Sequence, residues 1–296
     1  MEHALKGMAG MLRDRRTRME IGHKAPDGVE VLLDNTFQTP EGNSLEVDIY
    51  RPKNPGSGSF PVVIMIHGGG LVVGNRKLSR IFCENLAAKG FLVFVPEYRL
   101  VTETDMISEM GDVFAGFSYV SDYLAGYGGD PDRVTVVSDS AGSFLSLYAV
   151  AAIDSEVLRD KFRLSEQSLR VGGLACFTGM FYTTRKDPLG LFYVDTLYGE
   201  RIKDPSFMEI MDPECPEVMD NLPPIFLVGS DADIMRDYTD SYAAALSDAG
   251  HPYELVYYRG NKELDHAFPT LKPDLPESKE VLEKLVDWIE QISDQQ

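Results

Sequence analysis

Six short segments with the composition of buried strands alternate with segments patterned as helices, and this alternation leaves few architectures open. Val62–Ile66 is an uninterrupted apolar run, as expected of a strand covered on both faces, and Phe91–Val95 is a second. Val134–Val137, Val171–Phe177, Ile225–Val228 and Tyr253–Tyr258 continue the series. The intervening segments Leu78–Lys89, Ser108–Ala125, Gly142–Ala152 and Tyr238–Ala249 read as helices. Gly90 and Gly250 stop the first and last of these, and Ser278–Ile292 forms a closing helix. Ahead of the series, Val29–Thr36 and Leu45–Tyr50 alternate like half-buried strands around the turn Pro40-Glu41-Gly42-Asn43. The sum predicts an α/β fold: a mostly parallel eight-stranded sheet with helices on both faces. Leu5–Met19 is patterned as an amphipathic helix. Thr178–Leu222 reads as an irregular stretch rich in aromatics, among them Phe181, Tyr182, Phe192, Tyr193 and Tyr198.

A chain of 296 residues can bury a sizeable core, as one large α/β domain or two small ones. Its net charge of -19 argues against a nucleic-acid partner, which needs a basic stripe to replace counterions, and against docking on an anionic membrane. The three cysteines, Cys83, Cys176 and Cys215, have neither zinc-site nor disulfide-framework spacing. Met1–Arg18 is too charged for the apolar core of a signal peptide, and no apolar run approaches membrane-spanning length. A cytoplasmic location is therefore expected.

Ligands of such sheets bind beyond the carboxyl ends of the strands. After Val137 comes Ser138-Asp139-Ser140-Ala141-Gly142, close to the G-x-S-x-G turn that lifts a serine hydroxyl out of the sheet, although Ser138 stands at the first glycine position. After Ile66 comes His67-Gly68-Gly69-Gly70, where backbone N–H groups can approach a ligand unobstructed. The amides of Gly69, Gly70 and Ala141 could together bind an anionic tetrahedral oxygen. After Val228, either Asp231 or Asp233 could orient a histidine, the other serving as a turn or cap residue. Of the five histidines, His266 alone follows a late strand at the edge where Ser140 lies. Serine, acid and histidine thus occur in the chain order of a nucleophilic triad.

These motifs resemble the hormone-sensitive-lipase-like esterases of the α/β-hydrolase fold. The matching residues are His67-Gly68-Gly69-Gly70, Leu71-Val72-Val73-Gly74, Glu97-Tyr98-Arg99-Leu100, Asp139-Ser140-Ala141-Gly142, Leu222-Pro223-Pro224, Asp233-Ile234-Met235-Arg236-Asp237 and His266-Ala267-Phe268. The resemblance implies Ser140, Asp233 and His266 as catalytic residues and Gly69, Gly70 and Ala141 as the oxyanion hole. It implies a single hydrolase domain over 1–296 with a cap built from about 1–24 and 177–221. It further implies a small-molecule ester substrate, most simply a short-chain or small aromatic one, with homodimer formation left open; no cofactor and no metal are expected, because no ligand cluster has suitable spacing. Three departures stand out: Ser138 for glycine, Ile234 for proline, and Val101-Thr102-Glu103-Thr104 where the family continues Ala-Pro-Glu. Deacetylation or amide hydrolysis of a carbohydrate or drug-like substrate would use the same groups. A non-catalytic binding module on the same fold is the remaining alternative. The cap aromatics could line an acyl pocket or pack the cap onto the body.

Overall fold

The computed structural model describes residues 23–54 and 58–294. In chain order its elements are β1 (Val29–Gln38), β2 (Ser44–Pro52), β3 (Phe60–Ile66), α1 (Arg80–Ala88), β4 (Leu92–Pro96), α2 (Met106–Tyr123) and β5 (Gly129–Asp139). There follow α3 (Ala141–Asp154), α4 (Glu156–Phe162), β6 (Gly173–Phe177), α5 (Pro188–Tyr193), α6 (Pro205–Ile210), α7 (Pro216–Met219), β7 (Ile225–Ser230), α8 (Arg236–Ala249), β8 (Tyr253–Tyr258), α9 (Phe268–Leu271) and α10 (Pro276–Ser293). The sheet has 8 strands in the order β1-β2-β4-β3-β5-β6-β7-β8. β1 pairs antiparallel with β2 and β2 antiparallel with β4; every later pairing is parallel. This is the mostly parallel sheet that the strand–helix alternation predicts, in the α/β-hydrolase arrangement that the resemblance implies.

The continuous apolar runs are explained by burial on both faces, with alternate residues supplying different cores. Val62, Ile64 and Ile66 meet Phe117, Phe144 and Tyr148 from α2 and α3, whereas Val63 and Met65 meet Phe82 and Leu86 from α1. Phe226 and Val228 face the same side as α1, and there Val281, Leu285, Trp288 and Ile289 of α10 cover them. Both faces are closed, so the ends of the parallel strands remain the place for chemistry.

The structure corrects three expectations. Thr178–Leu222 is not irregular: it contains α5, α6, α7 and two further single-turn helical segments. Asp187 and Asp204 cap α5 and α6 through side-chain acceptance of backbone N–H groups, and proline opens α5, α6 and α7. Helices of six residues or fewer are too short to express a 3.6-residue period, which is why periodicity misses them. Helix α4 was likewise unforeseen; Ser155 caps it, its hydroxyl accepting from the N–H of Leu158 at 3.0 Å. Finally, β5 begins at Gly129, five residues ahead of the expected strand Val134–Val137. The expected helix Leu5–Met19, and with it nearly all of the N-terminal cap segment, lies outside the described residues.

Candidate active site

The parallel strands β5 and β6 hold Ser140 in a conformation that few non-glycine residues adopt. Its φ of 52° and ψ of -119° interrupt the chain between β5 and α3. The strain is held by backbone bonds: the Ser140 N–H donates to the Phe177 carbonyl at 3.0 Å, and the Ser140 carbonyl accepts from Met180 at 2.9 Å. Gly142 makes the turn sterically feasible. A Cβ there would lie 2.2 Å from the Ile66 carbonyl oxygen and 2.7 Å from that of His67. Ser138, at the other small-residue position, is accommodated as a buried strand residue: its hydroxyl donates to the Ala175 carbonyl at 3.1 Å. The two ends of the turn are therefore unequal. Gly142→Ala should destabilise the protein by about 3 kcal/mol, at the upper end of overpacking costs because the atoms met are backbone. Ser138→Gly should cost only about 1–2 kcal/mol, from one hydrogen bond and the flexibility of glycine in a strand. Thermal unfolding of both variants checks the ranking, and a larger loss for Ser138→Gly would contradict it.

His266 stands on the loop after β8. Its Nε2 lies 2.7 Å from Ser140 Oγ and its Nδ1 lies 2.7 Å from Asp233 Oδ1. A carboxylate only accepts, so Nδ1 carries the proton and donates to Asp233, leaving Nε2 to accept from the serine hydroxyl. The loop is pinned where it matters: the Ala267 N–H donates to Thr178 Oγ1 at 3.1 Å, beside the end of β6. Asp233 is 3% exposed, and the same oxygen accepts from the Met235 N–H at 3.1 Å. Asp231 does a different job, its Oδ2 accepting from the Gly260 N–H at 2.8 Å. The structure thus brings Ser140, His266 and Asp233 into one hydrogen-bonded chain and keeps Asp231 out of it.

The glycine loop faces the same serine. The Gly68 N–H is spent on Asp139 Oδ1 at 3.1 Å, which ties the loop to the serine turn. Burial pushes the Asp139 carboxyl above the ordinary carboxylate range, against the pull of His67 and of that N–H. By contrast, the N–H groups of Gly69, Gly70 and Ala141 have no acceptor among the described residues. Gly69 takes a φ of +134°, and a Cβ on it would lie 1.8 Å from the Val73 carbonyl oxygen, so only glycine fits.

Several supports of this loop escape sequence reasoning. Tyr98 stacks on His67 with ring centroids 4.2 Å apart, and its hydroxyl donates to the His67 carbonyl at 2.6 Å. The hydroxyl of Tyr193, from the segment between β6 and β7, donates to the Gly70 carbonyl at 2.8 Å. His67 Nε2 lies 2.9 Å from Glu97 Oε1. Burial opposes ionisation of Glu97, yet its bonds to His67 and the nearby Arg76 outweigh that and hold it below the usual range. Arg76, only 3% exposed, is ion-paired with Glu97, Asp48, Glu46 and Asp34, the last at the bulge in β1. Adjacent motifs were visible in the chain, but nothing in their spacing says that distant acids converge on Arg76. Among the aromatics of the β6–β7 segment, Phe181 stacks on Tyr242 of α8 at 4.3 Å, and Tyr182 packs edge-on against Tyr238 at 5.5 Å. These rings fasten the segment to the body, whereas Tyr193 reaches the glycine loop.

Comparison with known proteins gives the family and the fold of the chain. A family model described as alpha/beta hydrolase fold matches residues 63–270, well over half of the chain. The chain is 26% identical to the carboxylic ester hydrolase LipN of Mycobacterium tuberculosis, covering 86% of this chain and 70% of that protein. It is 25% identical to the ethyl acetate hydrolase of Pseudomonas putida, covering 98% and 91% respectively. It also matches plant isoprenylcysteine alpha-carbonyl methylesterases, of which it spans about half the length: 48% of the probable ICMEL1 enzyme of Arabidopsis thaliana, at 24% identity. In fold it is similar to esterase B of Lactobacillus rhamnosis, solved with a tributyrin phosphonate, with a TM-score of 0.89, 23% identity, and coverage of 100% of this chain and 96% of that one. By the matched family model and the fold together, the chain belongs to the hormone-sensitive-lipase-like family of the α/β-hydrolase fold.

Proposed function

We propose that the protein is a serine carboxylesterase that hydrolyses short-chain or small aromatic carboxylic esters through an acyl-enzyme. The observation that carries this reading is the unbroken chain from Ser140 through His266 to Asp233, with 2.7 Å at each link. Ser140 Oγ bonds to the ester carbonyl carbon as its proton passes to His266 Nε2. The amides of Gly69, Gly70 and Ala141 receive the negative charge that develops on the carbonyl oxygen. His266 then returns the proton to the departing alkoxide, and the alcohol leaves an acylated Ser140. A water molecule repeats the sequence to release the acid and the free serine. Asp233 holds the imidazole in the required tautomer and stabilises its protonated form.

The preference for small acyl groups draws on two supports. The segment 177–221 acts as a cap in this reading, and Tyr193 brings it against Gly70, limiting the room beside the serine. The relatives named for ethyl acetate and for a tributyrin phosphonate likewise concern short acyl chains. All three cysteines are unpaired, in keeping with a reducing compartment such as the cytoplasm, and among the described residues no helix is long and apolar enough to cross a membrane. Hydrolysis of p-nitrophenyl esters from acetate to decanoate tests the reading. The expected profile peaks at or below six carbons and falls at least about tenfold by ten carbons, a loss of little more than one kcal/mol in transition-state binding. A protein inert toward every ester would overturn the enzymatic reading. A maximum at decanoate would overturn the small pocket alone.

A further inference from the structure

Thr178, the residue that follows β6, has a φ of +47° and is wholly buried. Among the described residues six non-glycine residues take a positive φ, and Thr178 is the only β-branched one. A branched Cβ makes this conformation a true outlier. Such strain persists only where the surrounding structure imposes it, and it clusters at functional sites. Two others of the six, Ser140 at 52° and Ala267 at 56°, belong to the site itself. Glycine would adopt the backbone of Thr178 without strain, but it would bring no hydroxyl.

The bonds around Thr178 show what the hydroxyl is for. The preceding carbonyl, that of Phe177, accepts from the Ser140 N–H at 3.0 Å, and the Met180 N–H donates to the Ser140 carbonyl at 2.9 Å. The Thr178 N–H donates to the Val228 carbonyl at 2.8 Å, on the strand that leads to Asp233. Its Oγ1 accepts from the Ala267 N–H at 3.1 Å. The end of β6 is thereby tied to the loops that carry the serine, the acid and the histidine. The Ala267 N–H belongs to the peptide group that leaves His266, and a peptide group is planar, so this bond sets the direction from which the imidazole projects. Ala267 is 1% exposed, which leaves its N–H no solvent to bond in place of Thr178. We propose that Thr178 is a positioning residue for His266: its strained backbone aims Oγ1 at the peptide after the histidine and so holds the imidazole 2.7 Å from Ser140 Oγ. This role rests on the esterase reading.

Substitutions that separate the acceptor from the shape test the assignment. Thr178→Val keeps the branched side chain and removes the acceptor. It should lower kcat for p-nitrophenyl butyrate by about 30-fold or more with KM within about threefold, because a misplaced base costs rate and not ground-state binding. Thr178→Ser keeps the hydroxyl and should rescue kcat to within about threefold of wild type. Should Thr178→Val not fold, Thr178→Gly, which takes the same backbone without strain, carries the same expectation. A kcat near that of wild type in the variant lacking the acceptor overturns the assignment. So does an equal loss in Thr178→Ser, or a loss that falls on KM. A readout without turnover separates this from failure of the esterase reading. The imidazole nitrogen resonances of His266, identified by their absence from His266→Gln, should move in Thr178→Val and keep their wild-type positions in Thr178→Ser, whether or not wild type hydrolyses esters. Resonances that stay in place in Thr178→Val would overturn the assignment.

Discussion

Ser140→Ala is expected to lower kcat for p-nitrophenyl butyrate by about a million-fold, with the thermal midpoint unchanged or slightly raised. Removing a nucleophile that acts as one unit with its base abolishes nearly all of the benefit of the triad, which is why the loss is so large. What survives is the contribution of substrate binding and of the Gly69, Gly70 and Ala141 amides, about 10³–10⁴ over the uncatalysed reaction. Stability should not suffer, because Ser140 is a site of strain: its φ is 52°, and its hydroxyl is committed to His266 at 2.7 Å rather than to any structural element. The measurement is a burst-free steady-state assay paired with a melting curve. Residual turnover within a hundredfold of wild type, by a preparation shown free of wild-type protein, would remove Ser140 from the nucleophile's role.

That serine was the most legible residue in the chain, and the reason is local. The nucleophile turn needs small residues in contiguous positions, and the glycine loop needs a contiguous run of its own, so both leave a signature within a few residues. Gly142 shows how tight the demand is, since a single added carbon would lie 2.2 Å from a backbone oxygen. The sheet was legible for a similar reason. Strands buried on both faces must be apolar at every position, and Val62–Ile66 carries that mark plainly. What stayed hidden depends on distant partners or on segments too short for a pattern. Tyr193 reaches Gly70 from 123 residues further along the chain, and Arg76 gathers acids from β1, β2 and the end of β4. Glu109 looks in sequence like any acid near a helix start, where the helix dipole would favour it. Only its burial, with both oxygens unpaired, reveals that it points inward.

The acid of the triad shows where local signature ends and geometry takes over. Asp231 and Asp233 lie two residues apart after β7, each suited by position to orient a histidine, and only the resemblance to a known motif separated them. In the folded chain Asp233 Oδ1 meets His266 Nδ1 at 2.7 Å, while Asp231 accepts from Gly260 at 2.8 Å. Asp233→Asn should therefore lower kcat by about 10³–10⁴. An amide that turns its nitrogen toward Nδ1 forces the imidazole proton onto Nε2, which can then no longer accept from Ser140. An amide that turns its oxygen there keeps the tautomer but loses the charge that stabilises the imidazolium. Either orientation is costly, and burial at 3% exposure leaves water little chance to compensate. Asp231→Asn, in contrast, can keep its bond to the Gly260 N–H through the amide oxygen and should retain kcat within about fivefold, the effect of losing roughly one kcal/mol or less. Steady-state kinetics of the two variants side by side decide the matter, since a severe loss confined to Asp231→Asn, or equal losses in both, would deny Asp233 its place beside His266 in the chemistry.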